Sequence, residues 1–444
     1  MYRNGLFLFR RDLRIDDNVG LNLLSNVCEN IYTIFIYTPE QISNKNKYKS
    51  EKAITFMNQS INDLKNKIIK KGGNLYTLYG SINNIIRYII PLLDISVIGF
   101  NIDYTPYSIR RDDEIISLCK QMNVQYILGY DYYLINPTKY KLKYKKFTPF
   151  YNLVKKYIID IPTYYNIRFK KSTKIKKYNI EWNTNEPLIL IGGRTNGLKQ
   201  LEYFITKKYI TNDLNIYTSL LSPYIKFGCI SIREVYLFTK HNSIFTRQLF
   251  WREFYALIML NNPYVLYRPM KDSYNYIIWN NNSEWFDAWC NGHTGFPIID
   301  ASMRELKSNG YIHNRSRLIV SNFLIKILFI SWQRGEKYFA QTLIDYDPSN
   351  NNGNWQWSAG CGVDNQPYFR IFNPWIQSKK FDNKCHYIKK WIPELQHVLC
   401  DDIHKWYLYY HKYNTYIPPI CDYYEQKTKF IQYMKHHYSN FKDL

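Results

Sequence analysis

Leu6-Phe7-Leu8-Phe9-Arg10-Arg11-Asp12-Leu13-Arg14 begins as a short apolar strand and runs directly into a charged turn. Residues 31–37, 74–79, 96–100 and 125–128 repeat the strand pattern, and 51–71 and 107–122 read as helices set between them. Strands separated by helical patterns imply βαβ units and a parallel sheet. No G-x-G-x-x-G follows the first strand, so the sheet is no evidence for a nicotinamide cofactor. From about residue 193 the patterns become long and helical, as in 298–307 and 316–332. The expected organisation is an α/β domain with a Rossmann-like parallel sheet at 1–130, a linker at 131–190 and an all-α domain at 191–444. The linker is basic and irregular, notably at 139–146 and 168–177.

The chain has 444 residues, 46% of them hydrophobic, which is ample for packed cores and excludes global disorder. Arg87, Pro91 and Asp94 interrupt the apolar stretch 85–100, so no run of about 18 apolar residues is present to span a bilayer. The N-terminus lacks the long apolar region of a signal peptide. Eight cysteines form no C-x-x-C pair, which argues against a zinc ribbon, an iron–sulfur run or a disulfide framework. The expectation is a soluble intracellular protein with reduced thiols and no membrane partner. Lys plus Arg number 59 against 36 Asp plus Glu, a net charge of +23. Two readings stand open: a polyanion partner, or a codon bias that also raises Asn, Ile and Tyr, the last present 44 times.

The C-terminal half holds polar residues that core packing does not demand. Gly310-Tyr311-Ile312-His313-Asn314-Arg315-Ser316-Arg317 leads into an apolar helix with Asn314 and Arg317 on one face at i,i+3. Further on stand Asp345-Tyr346-Asp347-Pro348-Ser349-Asn350-Asn351-Asn352-Gly353-Asn354-Trp355-Gln356-Trp357 and Pro367-Tyr368-Phe369-Arg370-Ile371-Phe372-Asn373-Pro374. Asp345 and Asp347 could bind a metal, but no histidine or third carboxylate is near, and pairing with Arg317 is the better reading.

These segments resemble the DNA photolyase and cryptochrome family, most closely the class I type of cyclobutane pyrimidine dimer photolyase. Four further motifs carry the likeness: 9–14 with Asp17-Asn18, Leu221-Ser222-Pro223-Tyr224-Ile225-Lys226-Phe227-Gly228, Trp251-Arg252-Glu253-Phe254, and Trp289-Cys290-Asn291-Gly292-His293-Thr294-Gly295-Phe296-Pro297. Order and spacing agree over nearly the whole chain and are weakest between about 135 and 215. The resemblance implies an all-α domain that holds FAD, active in its reduced form. It implies that Thr218, Ser219, Leu221 and Ser222 form a phosphate-contacting turn, with Tyr209 a further contact. Asn314, Arg317, Asp345, Asp347 and Asn351 match the surroundings of the isoalloxazine and ribityl groups, where an amide at Asn351 would face the reactive flavin nitrogen. Trp355, Trp332 and Trp279 match a three-member electron chain. Gln248, Trp251, Asn314, Arg315 and Trp357 match the lesion pocket, which takes a dinucleotide swung out of the duplex. No metal is implied.

Two positions depart from the family pattern. Gln248 replaces a glutamate common in cyclobutane dimer enzymes and resembles the (6-4) photolyases. Those enzymes, however, carry a second histidine where this chain has Asn314, and they lack Trp355-Gln356-Trp357. Leu220 stands where the family usually has arginine, which weakens the expected ion pairing at the cofactor. The reading is a photolyase that splits cyclobutane dimers in UV-damaged DNA, working as a monomer, with an antenna chromophore of undetermined identity. The alternatives are a (6-4) photolyase, a cryptochrome photoreceptor or a plain basic nucleic-acid binder.

Overall fold

Strand β1 (Tyr2–Phe9) is buried from Asn4 onward and lies at the centre of a five-stranded sheet. The other strands are β2 (Cys28–Tyr37), β3 (Leu75–Tyr79), β4 (Val97–Asn101) and β5 (Gln125–Gly129), in the order β3-β2-β1-β4-β5. Every pairing is parallel, with Leu6 opposite Tyr32 on one side and Ile98 on the other. The inner strands β1 and β4 are buried along nearly their whole length, as a sheet covered on both sides requires, while the edge strand β5 is largely exposed at its start. The computed structural model of the chain describes residues 1–136, 142–178, 180–181, 186–211, 213–216 and 218–440. Residues 137–141, 179 and 182–185 of the expected linker, and Tyr217, lie outside the described residues.

Helices α1 (Val19–Ser25), α2 (Glu51–Lys70), α3 (Ile82–Leu93) and α4 (Pro106–Gln121) connect the strands. Their starts are legible in side-chain chemistry: Asn18, Ser50 and Thr105 each accept a backbone N–H of the first turn. At the end of β4, Asn101 Nδ2 donates to Asp12 at 2.5 Å while its oxygen receives Gly20 N at 2.8 Å. Gly129 is required there, since a Cβ would lie 2.1 Å from Asn101 Oδ1.

The chain divides into two compact units. The first comprises Met1–Lys208, Ser219–Pro263 and Ile344–Ser349. Besides the sheet it contains α5 (Phe147–Val154), α6 (Arg194–Ile205), α7 (Ser222–Lys226), α8 (Ile232–Thr239) and α9 (Ser243–Asn261). Helix α5 falls inside the stretch expected to be irregular, and Phe147, Phe150 and Val154 form its buried face. The second unit comprises Tyr209–Thr218, Tyr264–Leu343 and Asn350–Leu444 and has no strand among its described residues. Its longer helices are α10 (Ser283–Asn291), α11 (Pro297–Asn309), α12 (Asn314–Lys326), α13 (Trp332–Thr342), α14 (Pro348–Ala359, whose first two residues belong to the first unit), α15 (Pro374–Phe381) and α16 (Tyr423–Asn440). Gly292 and Gly310 end α10 and α11 in the left-handed conformation that glycine adopts without penalty. No described helix is long and apolar enough to cross a membrane, and all eight cysteines are free thiols.

Candidate functional site

In the first unit the arginines that follow β1 diverge. Arg10 pairs with Asp112 at 2.5 Å, and Arg14 grips Asp131 at 2.6 and 2.7 Å. Arg11 bridges Asp103 at 3.3 Å and Asp347 at 3.1 Å. Burial pushes the Asp347 carboxyl up, but Arg11, Lys226 and Arg252 outweigh it and hold the group well below the usual carboxylate range. Burial, reinforced by Arg11, lowers the Lys226 ammonium to about 8. Asp345 accepts the Ser222 hydroxyl at 2.6 Å. Within the first unit, Asp347 thus pairs with Arg11 and Asp345 with Ser222.

The expected phosphate turn has the geometry of a tight reversal. Leu220 adopts φ +53°, Ser219 Oγ accepts Leu221 N at 3.3 Å, and Gln200 holds the Ser219 carbonyl at 2.9 Å. A non-glycine residue in that conformation costs about 1–3 kcal/mol and concentrates at ligand clamps. The single Ser222 proton is already donated to Asp345, so a phosphate there meets backbone N–H groups or displaces that bond.

The lesion-pocket candidates of this unit differ in exposure. Gln248 is exposed and donates weakly back to Ile244 O at 3.5 Å. Trp251 is stacked on Phe147 with centroids 3.7 Å apart and planes within 5°, so one face of its indole is covered by α5. Phe147 was not anticipated. Its segment lies among lysines that mask the i,i+3,i+7 spacing of 147, 150 and 154.

In the second unit, Asn351 donates Nδ2 to Glu336 twice, at 3.0 Å to the carbonyl and 2.9 Å to Oε1. That pair of bonds fixes the amide's orientation and leaves Oδ1 as its acceptor. No sequence signal pointed to Glu336, fifteen positions upstream on α13. His313 caps α12 by accepting Arg315 N on Nδ1 at 2.9 Å, which places its proton on Nε2. Burial, then Arg315 and Arg317, lowers it to about 4, so the ring is neutral at physiological pH. Arg317 donates Nε to Ile312 O at 3.1 Å and lies over Tyr311. Thr218 meets the Tyr311 hydroxyl at 3.4 Å, and burial raises Tyr209 to about 12. Asn314 is exposed, Arg315 lies 4.5 Å over the Phe381 ring, and Trp357 is half-buried.

The expected tryptophan chain is placed as separate residues. Trp355 is buried against Phe339 and Trp289, with centroids 5.0 and 6.2 Å away. Trp279 contacts Phe329 at 5.3 Å, and Trp332 is 2% exposed. No ring contact among the described residues joins the three to one another. Trp289, quoted above only as part of a motif, is the tryptophan that touches Trp355.

At the sheet's C-terminal edge, a small pocket is lined by Phe9, Arg10, Phe35, Gln41, Tyr107 and Arg111. Arg10 Nη2, Arg111 Nη2 and Gln41 Oε1 are buried there without hydrogen-bond partners among the described residues. Open α/β sheets bind ligands at this edge, where the strand order reverses. No cluster of three or more metal-ligating side chains occurs among the described residues.

The family model described as DNA photolyase matches residues 5–165, and that of the FAD binding domain of DNA photolyase matches residues 245–436. The deoxyribodipyrimidine photo-lyase of Buchnera aphidicola subsp. Baizongia pistaciae is 34% identical, with 97% of this chain and 98% of that protein aligned. The archaeal photolyase of Sulfolobus tokodaii, solved with two FAD molecules, superposes with a TM-score of 0.90 at 37% identity, covering 98% of this chain and 100% of the other. The cryptochrome of Synechocystis sp. PCC6803 shares the fold with a TM-score of 0.90 at 23% identity, over 97% and 99% of the two chains.

Proposed function

The chain belongs to the DNA photolyase family, and from that membership we propose that it is a light-driven DNA repair flavoenzyme, a carbon–carbon lyase that splits cyclobutane pyrimidine dimers. When bound, reduced FAD supplies the light-driven electron that enters the dimer and is returned once the ring has opened. The observation that carries the reading is the amide of Asn351. With Nδ2 tied to Glu336, Oδ1 would be the atom left to accept from a protonated ring nitrogen.

The other residues fit the same cofactor. His313 Nε2–H is a buried donor with no partner among the described residues, as expected of a group awaiting an acceptor on a ligand. The turn 218–222 would meet the pyrophosphate through its backbone and hydroxyls, with Tyr209 beside it. Asn314, Arg317, Asp345 and Asp347 would surround the ring system and the ribityl chain. Trp355, Trp332 and Trp279 would return electrons to an oxidised cofactor, with Trp289 in contact with the first of them. Trp251, stacked on Phe147 and with Tyr255 5.6 Å from its ring, would form part of the wall that receives a flipped base. Gln248, Trp357, Asn314 and Arg315 would complete the lesion pocket. Stacking on such rings contributes about 1–3 kcal/mol per base.

A second chromophore is supported by the sheet-edge pocket, whose paired guanidinium donors and aromatic walls suit a planar, anionic ligand. Extraction of the purified protein tests this through the number of chromophores released per chain.

The function is tested on two oligonucleotides, one with a cyclobutane dimer and one with a (6-4) product, incubated with the reduced protein under blue light. Repair of the first alone is expected. Repair of the second alone would transfer the assignment to the (6-4) enzymes, the reading that Gln248 favours. Repair of neither would promote the cryptochrome reading.

A further inference from the structure

Among the arginines that follow β1, Arg11 alone reaches the segment Ile344–Ser349. Its Nη1 contacts Asp347 at 3.1 Å and Asp103 at 3.3 Å, and its guanidinium lies 4.9 Å from the Tyr132 ring centre. Helix α7 faces the same segment at two points. Ser222, its first residue, donates to Asp345, and Lys226, its last, adds positive charge near Asp347. Ser349 Oγ donates to Asp347 Oδ1 at 2.6 Å, which ties the carboxylate to the start of α14.

We propose that Arg11 and Lys226 are positioning residues for the flavin, holding the Asp345–Asp347 segment in place and setting the charge beside the cofactor. The proposal rests on the flavin reading above and extends it to residues that the reading does not use.

Arg11, Lys226 and Arg252 face Asp347, with Asp103 beside it, Asp345 two positions away and Glu253 raised to about 7 by burial. A positive charge in a poorly solvated cluster stabilises any negative charge that develops nearby. Reduction adds negative charge to a flavin, so Arg11 and Lys226 favour the reduced cofactor. Arg11 also serves by its shape, because a planar fork can hold two carboxylates in fixed geometry and an ammonium cannot.

The test uses the full chain reconstituted with FAD, with the FAD dissociation constant and the midpoint potential as readouts. Lys226→Met is expected to lower the potential by about tenfold in the reduction equilibrium, or about 30 mV for a two-electron couple, with little change in FAD affinity. Arg11→Lys keeps the charge and loses the fork, so FAD affinity should fall about tenfold while the potential stays near that of the parent. Arg11→Met leaves Asp103 and Asp347 buried without their partner, and its folding could fail. The double variant Arg11→Met with Asp347→Asn removes both charges together and should reproduce the affinity loss. Parental potential in Lys226→Met together with parental affinity in Arg11→Lys would overturn the proposal. Failure of the parent chain itself to bind FAD would overturn the flavin reading beneath it.

Discussion

Glu253 is 4% exposed, accepts Ile135 N at 3.2 Å and lies 3.3 Å from Arg252. Burial raises it to about 7 despite Arg252. The folded chain therefore keeps this proton to higher pH than the unfolded chain. The stability that the proton confers is complete below the ordinary value of 4.5 and is lost as pH rises through 7. Glu253→Gln mimics the neutral form at every pH. Thermal melts should show it close to the parent at pH 5 and more stable at pH 8, by up to about 3 kcal/mol. A constant difference across that range would refute the assignment. This glutamate stood in plain view within Trp251-Arg252-Glu253-Phe254, but its protonation was illegible, because that depends on which backbone amides and cations fold around it. Asn351 shows the same division. Its residue type and place in the Asn-rich run suggested an amide at the flavin, while the orientation of that amide depends on Glu336 of α13.

Helices α13 and α14 approach closely at one residue. A Cβ on Gly335 would lie 2.2 Å from Cη2 of Trp355, a ring already enclosed by Phe339 and Trp289. Gly335→Ala gains about 0.5–1 kcal/mol of helix propensity, but the overpacking costs about 1–3 kcal/mol. Net destabilisation of about 1 kcal/mol is expected in denaturant titrations, together with a changed near-UV circular dichroism signal from the displaced indole. An unchanged spectrum would show that the ring is not held there. The strands were the most legible elements because each is a short, nearly unbroken apolar run between turn residues. All five occur within a few residues of their expected bounds, in parallel register. Helix α5 was not legible. Its three buried residues are too few to stand out from the lysines around them, and Phe147 finds its closest stacking partner in Trp251, about a hundred positions away.

Across the whole molecule, the +23 charge takes on a sharper meaning once the buried ion pairs are set aside. Arg10, Arg14, Arg194 and Arg233 pair with Asp112, Asp131, Glu234 and Asp17 inside the first unit. Each pair removes one charge of either sign, so the full excess remains on the more accessible side chains, largely lysines. Such an excess attracts any polyanion and weakens with salt in proportion to the phosphates neutralised. It cannot by itself distinguish damaged from intact DNA, because both present the same phosphates. Recognition of the lesion should therefore separate experimentally from attraction to the backbone. Affinities for intact and dimer-containing duplexes, measured from low to physiological salt, should both fall steeply while their ratio changes little. Arg315 is held over Phe381 with Lys380 also near that ring, so it presents an ordered cation, whereas Lys176 is exposed with no anchoring contact among the described residues. Arg315→Ala should lower affinity for damaged DNA about tenfold and reduce the salt slope by about one, and Lys176→Ala should change neither appreciably. Equal effects of the two substitutions would mean that the charge acts only as a diffuse field, and that the DNA is held without an ordered contact at Arg315.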